Sequence, residues 1–226
     1  MQAILAMAED LAADRIELAN IQYDVWGLLN RAALLPTRDQ LRRTEVIVRG
    51  ERERPAGRMQ IVYVIPDYYS QYPKPCMGGW GQRQLTVSPI GNVLPCPAAG
   101  QLAGLGVENV QARSLDWIWN DSPSFNRFRG EEWMPGPCRG CPRRTIDFGG
   151  CRCQAFQLTG DATATDPVCY LSPHHGLVDR VVAATNRADE APATGLVYRH
   201  IDHDRGRQPS ALGKSSSWRS IAFREP

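Results

Sequence analysis

The hydrophobic pattern of the first 65 residues predicts helices that alternate with strands. Residues 2–14 carry apolar side chains at helical spacing, so we expect one helix with a single apolar face. That face comprises Ile4, Met7, Ala8 and Leu11. The runs 16–23 and 60–65 are short and mostly apolar, as in buried strands, and Pro66 ends the second run.

A second helix is expected between these two strands. Thr37 and Gln40 have the spacing of a capping box, which predicts a charged helix that runs to about Glu53. Helix, strand, helix, strand is the order of a parallel β/α layer. Because two strands do not form a stable sheet alone, we expect this segment to be the end of a larger β/α domain.

Residues 66–173 are instead rich in glycine, proline, cysteine and tryptophan, which predicts short elements joined by loops. Apolar runs at 85–88 and 93–94 predict a β-hairpin. Ser114 and Ser122 precede apolar runs and predict the N-caps of two short helices. Such a loop-rich segment buries little apolar surface, so it needs additional stabilisation, which a bound metal would supply.

Composition and charge exclude several classes of protein. The chain has 226 residues, of which 42% are hydrophobic and 22% charged, so we expect folded structure. The formal net charge of +2 gives no reason to expect binding to nucleic acid or to a membrane surface. The first ten residues lack the basic region of a signal peptide, so we expect a soluble, cytoplasmic protein.

Cysteine usage points to a metal site. The seven cysteines are Cys76, Cys96, Cys138, Cys141, Cys151, Cys153 and Cys169. An odd number without a secretory signal argues against a disulfide framework. The pairs 138/141 and 151/153 are close enough in sequence to bind one metal centre, and zinc is the commoner occupant of such pairs.

Iron–sulfur clusters are the other interpretation of these cysteines. A cluster takes four protein ligands, so two clusters need eight, and Asp147 lies between the two pairs as a candidate eighth ligand. A carboxylate is a harder ligand than a thiolate, although it can hold iron. Spacing also allows Asp147 to be only a turn residue before two glycines. The pair His174 and His175 has no third ligand at suitable spacing, so we expect a surface or packing role for it.

Several motifs resemble the SPASM domain, the auxiliary-cluster domain of peptide-modifying radical SAM enzymes. They are Cys76-Met-Gly-Gly-Trp80, the run from Pro89 to Cys96, Cys138-Arg-Gly-Cys141, Asp147-Phe-Gly-Gly-Cys-Arg-Cys153, Cys169 and Leu171-Ser-Pro-His-His175. Within that family, the chain is most similar to the peptide cyclases of pyrroloquinoline quinone biosynthesis. Those cyclases resemble this chain in having Asp where most SPASM domains have Cys, at Asp147.

The resemblance implies two auxiliary iron–sulfur clusters and their ligands. The first cluster would be held by Cys76, Cys96, Cys151 and Cys153, and the second by Cys138, Cys141, Asp147 and Cys169. Radical SAM chemistry also needs a CxxxCxxC loop, which binds the cluster that cleaves S-adenosylmethionine. No two cysteines of this chain are separated by three residues, so we expect no S-adenosylmethionine site in it. We also expect the chain to be inactive alone.

The implied activity is that of an oxidoreductase that joins a Glu and a Tyr side chain through a carbon–carbon bond. Its substrate would be the precursor peptide PqqA, presented by the small chaperone PqqD. We expect α/β and then α+β structure in three segments: the end of a radical SAM barrel (1–65), a SPASM domain (66–175), and a C-terminal helix with a disordered tail (176–226). The alternatives are a non-catalytic module that binds an iron–sulfur cluster or zinc, and a decayed fragment.

Overall fold

Short polar motifs define the ends of the helices, as the capping box of the longest one illustrates. A computed structural model describes residues 1–21, 26–54, 59–187 and 196–198. In it, the Thr37 hydroxyl accepts a hydrogen bond from the Gln40 amide (3.2 Å), and the Gln40 side chain accepts one from the Thr37 amide (2.8 Å). Both bonds satisfy donors at the helix start, so the predicted charged helix is confirmed as Arg38–Glu53.

The described elements are mostly short. The α-helices are α1 (Gln2–Asp10), α2 (Trp26–Leu29), α3 (Arg31–Leu34), α4 (Arg38–Glu53), α5 (Leu115–Asp121), α6 (Pro123–Asn126), α7 (Arg144–Asp147), α8 (Arg152–Thr159) and α9 (Gly176–Arg187). The strands are β1 (Arg15–Ala19), β2 (Gln60–Val64), β3 (Thr86–Val87), β4 (Asn92–Leu94) and β5 (Glu108–Asn109). Three short 3-10 helices span Asp67–Tyr69, Pro97–Gln101 and Cys138–Gly140.

The predicted parallel β/α layer is present at the start of the chain. Strands β1 and β2 pair in parallel over five residues, from Arg15 opposite Gln60 to Ala19 opposite Val64. Helices α1 and α4 pack on this pair through one buried cluster. Its members are Leu5, Leu18, Val48 and Ile61. The partial barrel implied by the resemblance stays a prediction, because the described residues contain this single parallel pair.

Two expectations for this layer are corrected. Helix α1 ends at Asp10 and not at residue 14, and it buries Leu5 and Ala8, whereas Ile4, Met7 and Leu11 are exposed. The predicted stripe of Ile4, Met7 and Leu11 lies next to the stripe that contains Leu5. The stripe of Leu5 contacts the sheet and is therefore the buried one. Strand β1 covers residues 15–19, while residues 22 and 23 of the predicted strand lie outside the described residues.

The loop-rich segment contains the predicted hairpin and both short helices. Strands β3 and β4 pair antiparallel, and β5 adds a third strand that the sequence did not predict. Ser114 and Ser122 accept hydrogen bonds from amides in the first turns of α5 and α6, as N-caps do. These elements bury Ile118 and Phe125 completely against β4.

Helix α9 joins the two ends of the described chain. Leu28 and Leu35 from the N-terminal segment share a buried cluster with Val178 and Val182 of α9. Tyr68, Leu158 and Val168 complete that cluster from the loop-rich segment. The predicted disordered tail, from about residue 204, lies outside the described residues. Among the residues that the structure describes, no helix is long and apolar enough to cross a membrane.

We predict that Leu5→Ala destabilises the fold and that Ile4→Ala does not. Leu5 is 2% exposed in the cluster around β1 and β2, so its truncation should lower the free energy of unfolding by about 2–5 kcal/mol. Ile4 is 47% exposed, so its truncation should change that energy by about 0.5 kcal/mol or less. Urea unfolding followed by circular dichroism measures both. Equal losses would contradict the observed orientation of α1.

Candidate metal centre

Four thiols form the first thiol set: Cys76, Cys96, Cys151 and Cys153. Cys151 caps the N-terminus of α8 and Cys153 lies in its first turn, so the helix start presents two thiols together. The Cys96 and Cys153 sulfur atoms lie 3.6 Å apart. The neighbouring thiols of Cys76 and Cys153 both affect the pKa of Cys151, so all four thiols belong to one group.

The four thiols of the first thiol set differ in the direction in which their pKa is shifted. Hydrogen bonds from neighbouring thiols lower the pKa of Cys151 and of Cys96. The same hydrogen bonds raise the pKa of Cys76 and of Cys153, because a donor thiol must keep its proton, and burial raises them further. Four thiolates this close together repel one another, so complete ionisation requires a cation. This donor set therefore fits a cationic metal group that displaces the remaining protons.

A second donor set lines a separate pocket: Cys138, Cys141, Asp147 and Cys169. Cys138 begins a 3-10 turn, Cys141 follows that turn directly, and Asp147 is the last residue of α7. Cys138, Asp147 and Cys169 are each at most 8% exposed. Burial raises the pKa of Cys169, and the charges of the other three members raise it further. Three thiols and one carboxylate thus surround one space.

The carboxylate of Asp147 is held in place by two hydrogen bonds. Oδ1 accepts from the Gly149 amide (3.1 Å), and Oδ2 accepts from Nε of Arg143 (3.2 Å). The first bond is the contact expected of a turn residue. Because each carboxylate oxygen has two lone pairs, both oxygens retain capacity for a metal. The observed contacts are therefore compatible with both interpretations of Asp147.

The tight turn from Asp147 to Cys151 separates the two donor sets. Phe148, Gly149 and Gly150 have φ values of 53°, 73° and 80°, all in the left-handed region. The turn directs Asp147 into the second donor set and Cys151 into the first thiol set. Paired cysteines that are neighbours in the sequence, 138/141 and 151/153, therefore belong to different sets.

Asp166 anchors this turn and was not singled out by sequence reasoning. The carboxylate is fully buried and accepts hydrogen bonds from the Cys151 amide (2.8 Å), the Gln154 side chain (2.9 Å) and the Val168 amide (3.0 Å). Burial raises the pKa of the Asp166 carboxyl to about 6. An Asp before Pro167 signals only a turn in the sequence, so this role was not visible there.

The zinc interpretation stays a prediction beside the iron–sulfur one. Zinc binds thiolates at about 2.3 Å, so its four ligands must converge on one point. Among the described residues, no three or more His, Cys, Asp or Glu side chains form such a group. Four is the ligand number of structural zinc as well as of an iron–sulfur cluster, so the number of donors does not decide between them. His175 donates from Nδ1 to the Pro167 carbonyl (2.9 Å), the packing role expected for it.

Comparison with known proteins supports the same chemistry. A family model described as SPASM, an iron–sulfur cluster-binding domain, matches residues 76–142. A PqqA peptide cyclase from Streptomyces rochei is 61% identical over 193 residues, which are 85% of this chain and 52% of that protein. The chain is similar to PqqA peptide cyclases over most of its length. It spans about half the length of the curated relatives it matches.

Two further relatives extend the match along the chain. The PqqA peptide cyclase of Methylocella silvestris is 52% identical over 198 residues, which are 88% of this chain and 53% of that protein. That of Xanthomonas campestris pv. campestris is 48% identical over 214 residues, 95% of this chain and 55% of that protein. The similarity to these cyclases therefore extends well beyond the matched domain.

We predict that Gly150→Ala harms the fold more than Gly160→Ala. Both glycines have a φ of +80°, so each substitution should cost about 1–2 kcal/mol in backbone strain. A Cβ at Gly150 would lie 2.5 Å from Oδ2 of Asp166, whereas a Cβ at Gly160 would meet no atom within 4 Å. Gly150→Ala should therefore cost about 1–3 kcal/mol more.

Urea unfolding under reducing conditions measures this difference, and Gly160→Ala is the control for backbone strain alone. Equal costs for the two variants would show that Asp166 does not constrain the turn.

Proposed function

We propose that this chain binds two iron–sulfur clusters and acts as the auxiliary-cluster part of a PqqA peptide cyclase. The first thiol set would hold one cluster, and the second donor set, with Asp147 as an oxygen ligand, would hold the other. The observation that carries the proposal is the grouping of seven thiols and one buried carboxylate into two sets of four. Four is the usual number of protein ligands for one cluster.

The reaction proposed for the whole enzyme joins a Glu and a Tyr side chain of the peptide PqqA. Forming a carbon–carbon bond in place of two C–H bonds removes two hydrogen atoms, which are two electrons and two protons. A radical derived from S-adenosylmethionine takes one hydrogen atom, so the second electron needs another acceptor. Bound iron–sulfur clusters would supply one-electron transfer. The residues of this chain would hold those clusters and keep them from water.

Other components are needed under this proposal. Cleavage of S-adenosylmethionine requires a CxxxCxxC segment, a spacing that the cysteines of this chain do not have. We propose that such a segment, PqqA and the chaperone PqqD act together with this chain. The missing spacing also favours a second candidate function, a metal-binding module without catalytic activity of its own.

Metal analysis of anaerobically produced protein tests the proposal. The expected result is a brown protein with iron and acid-labile sulfide in equal amounts. A colourless protein with stoichiometric zinc and no sulfide would refute it. For activity, the chain would be mixed with the half of the Streptomyces rochei relative that it does not match, together with PqqA, PqqD, S-adenosylmethionine and a reductant. The peptide should lose the mass of two hydrogen atoms. Full cluster loading without that loss would favour the second candidate.

Substitutions at Asp147 distinguish a ligand from a turn residue. Asp147→Asn retains the oxygen that accepts from Gly149 but removes the anionic ligand, so about half of the iron and sulfide should be lost. Asp147→Cys should retain all of the iron. It should lower the reduction potential of one cluster, because a thiolate donates more charge than a carboxylate. Iron analysis and a redox titration monitored by electron paramagnetic resonance measure both.

Asp161→Asn is the matched control for a turn aspartate away from the thiols. Asp161 accepts a hydrogen bond from the Thr163 amide (2.8 Å), the same kind of contact that Asp147 makes with Gly149. This variant should retain full iron and unchanged potentials. If Asp147→Asn behaved in the same way, Asp147 would be a turn residue only.

A further inference from the structure

Arg152 is the most deeply buried cation described next to the two donor sets. It is 1% exposed at the start of α8, between two cysteines of the first thiol set. Its Nη1 donates to the carbonyls of Ala162 (3.0 Å) and Ala164 (2.8 Å), and its Nη2 donates to the carbonyl of Gly149. The guanidinium carbon lies 4.6 Å from the ring centre of Trp133. These contacts allow the side chain little freedom to move.

One donor of this guanidinium has no acceptor. The Nε–H of Arg152 is buried and makes no hydrogen bond to any described residue. Leaving a buried donor without a partner costs about 1–3 kcal/mol, and more for a charged group. The orphaned donor therefore indicates that an additional acceptor belongs at this place.

The charge of Arg152 also reaches both donor sets. Burial lowers the pKa of the Arg152 guanidinium, and the negative charge of Asp166 opposes this shift most strongly. The charges of Cys151 and Cys76, from the first thiol set, and of Cys138, from the second donor set, oppose it as well. The backbone contacts agree with this position, because Gly149 lies in the turn between the two sets. Ala164 precedes Thr165, whose hydroxyl is 3.4 Å from the Cys138 sulfur.

We propose that Arg152 is a positioning residue shared by both clusters. Its fixed positive charge raises the reduction potential of each cluster, and its Nε–H is the donor available to a sulfur acceptor of a bound cluster. This inference rests on the proposed function, since it needs clusters in both sets. The physical reason is that net charge and hydrogen bonds to sulfur determine how easily a cluster accepts an electron.

The test compares Arg152→Gln with Arg152→Lys in the full chain loaded anaerobically with iron and sulfide. Gln removes the charge but keeps hydrogen-bond donors, whereas Lys keeps the charge. A redox titration monitored by electron paramagnetic resonance should show both clusters at more negative potentials in Arg152→Gln. In Arg152→Lys, both potentials should stay closer to those of the unsubstituted chain.

Arg129→Gln is the matched control. Arg129 also donates two hydrogen bonds to a backbone carbonyl, that of Gly81, from Nε (3.2 Å) and Nη2 (2.6 Å). Its guanidinium lies 5.4 Å from the ring centre of Trp119. It thus matches Arg152 in its backbone and ring contacts. Its substitution should leave both cluster potentials unchanged.

Each outcome decides the inference. Unchanged potentials in a fully loaded Arg152→Gln protein would overturn it. A shift in only one potential would overturn the shared role. If the Arg152→Gln protein failed to take up iron and sulfide but the Arg152→Lys protein took them up, the result would support a requirement for the positive charge at the clusters. Failure of both variants to load would show a packing role alone and would also overturn it. An unsubstituted chain without iron and sulfide would instead refute the proposed function.

Discussion

The left-handed turn between Asp147 and Cys151 is the constraint on which both donor sets depend. It reverses the chain within a few residues, so that a carboxylate on one side and a thiol on the other enter different sets. Gly150 makes the reversal possible, because any Cβ there would collide with Asp166. The Asp166 carboxylate in turn accepts from the Cys151 amide. A single buried acceptor and a glycine thus determine where two ligand groups lie.

The loop-rich segment depends on these donor sets because its own apolar core is small. Cys96, Cys151 and Cys153 lie against a buried cluster that includes Trp80 and Phe128. These thiols cannot all ionise together without a cation, so metal binding and packing would stabilise the same place. The buried cluster that unites α9 with Leu28 and Leu35 would transmit that stabilisation to the N-terminal layer. Loss of metal is therefore expected to weaken more than the loops around it.

Much of the fold could be predicted where the determining interaction is local. The capping box at Thr37 and the serine caps of α5 and α6 involve residues three positions apart, and each defines a helix start in the structure. The buried face of α1 could not be predicted in this way. Its two apolar stripes differ by one residue, and contact with β1 and β2 decides between them. Strand β5 was missed because it contains only Glu108 and Asn109, neither of which favours a strand.

The assignment of ligands to two clusters came only from the resemblance to a family, and it stays a prediction. By spacing alone, the cysteine pairs 138/141 and 151/153 belong together, and the structure separates them because the turn between them is left-handed. The spacing of the cysteines also does not reveal the role of Arg152, because its hydrogen-bond partners are backbone carbonyls of another loop. An arginine between two cysteines is ordinary in a sequence. The proposed role becomes visible only in the folded chain, where Arg152 is buried and thiols of both sets act on its charge.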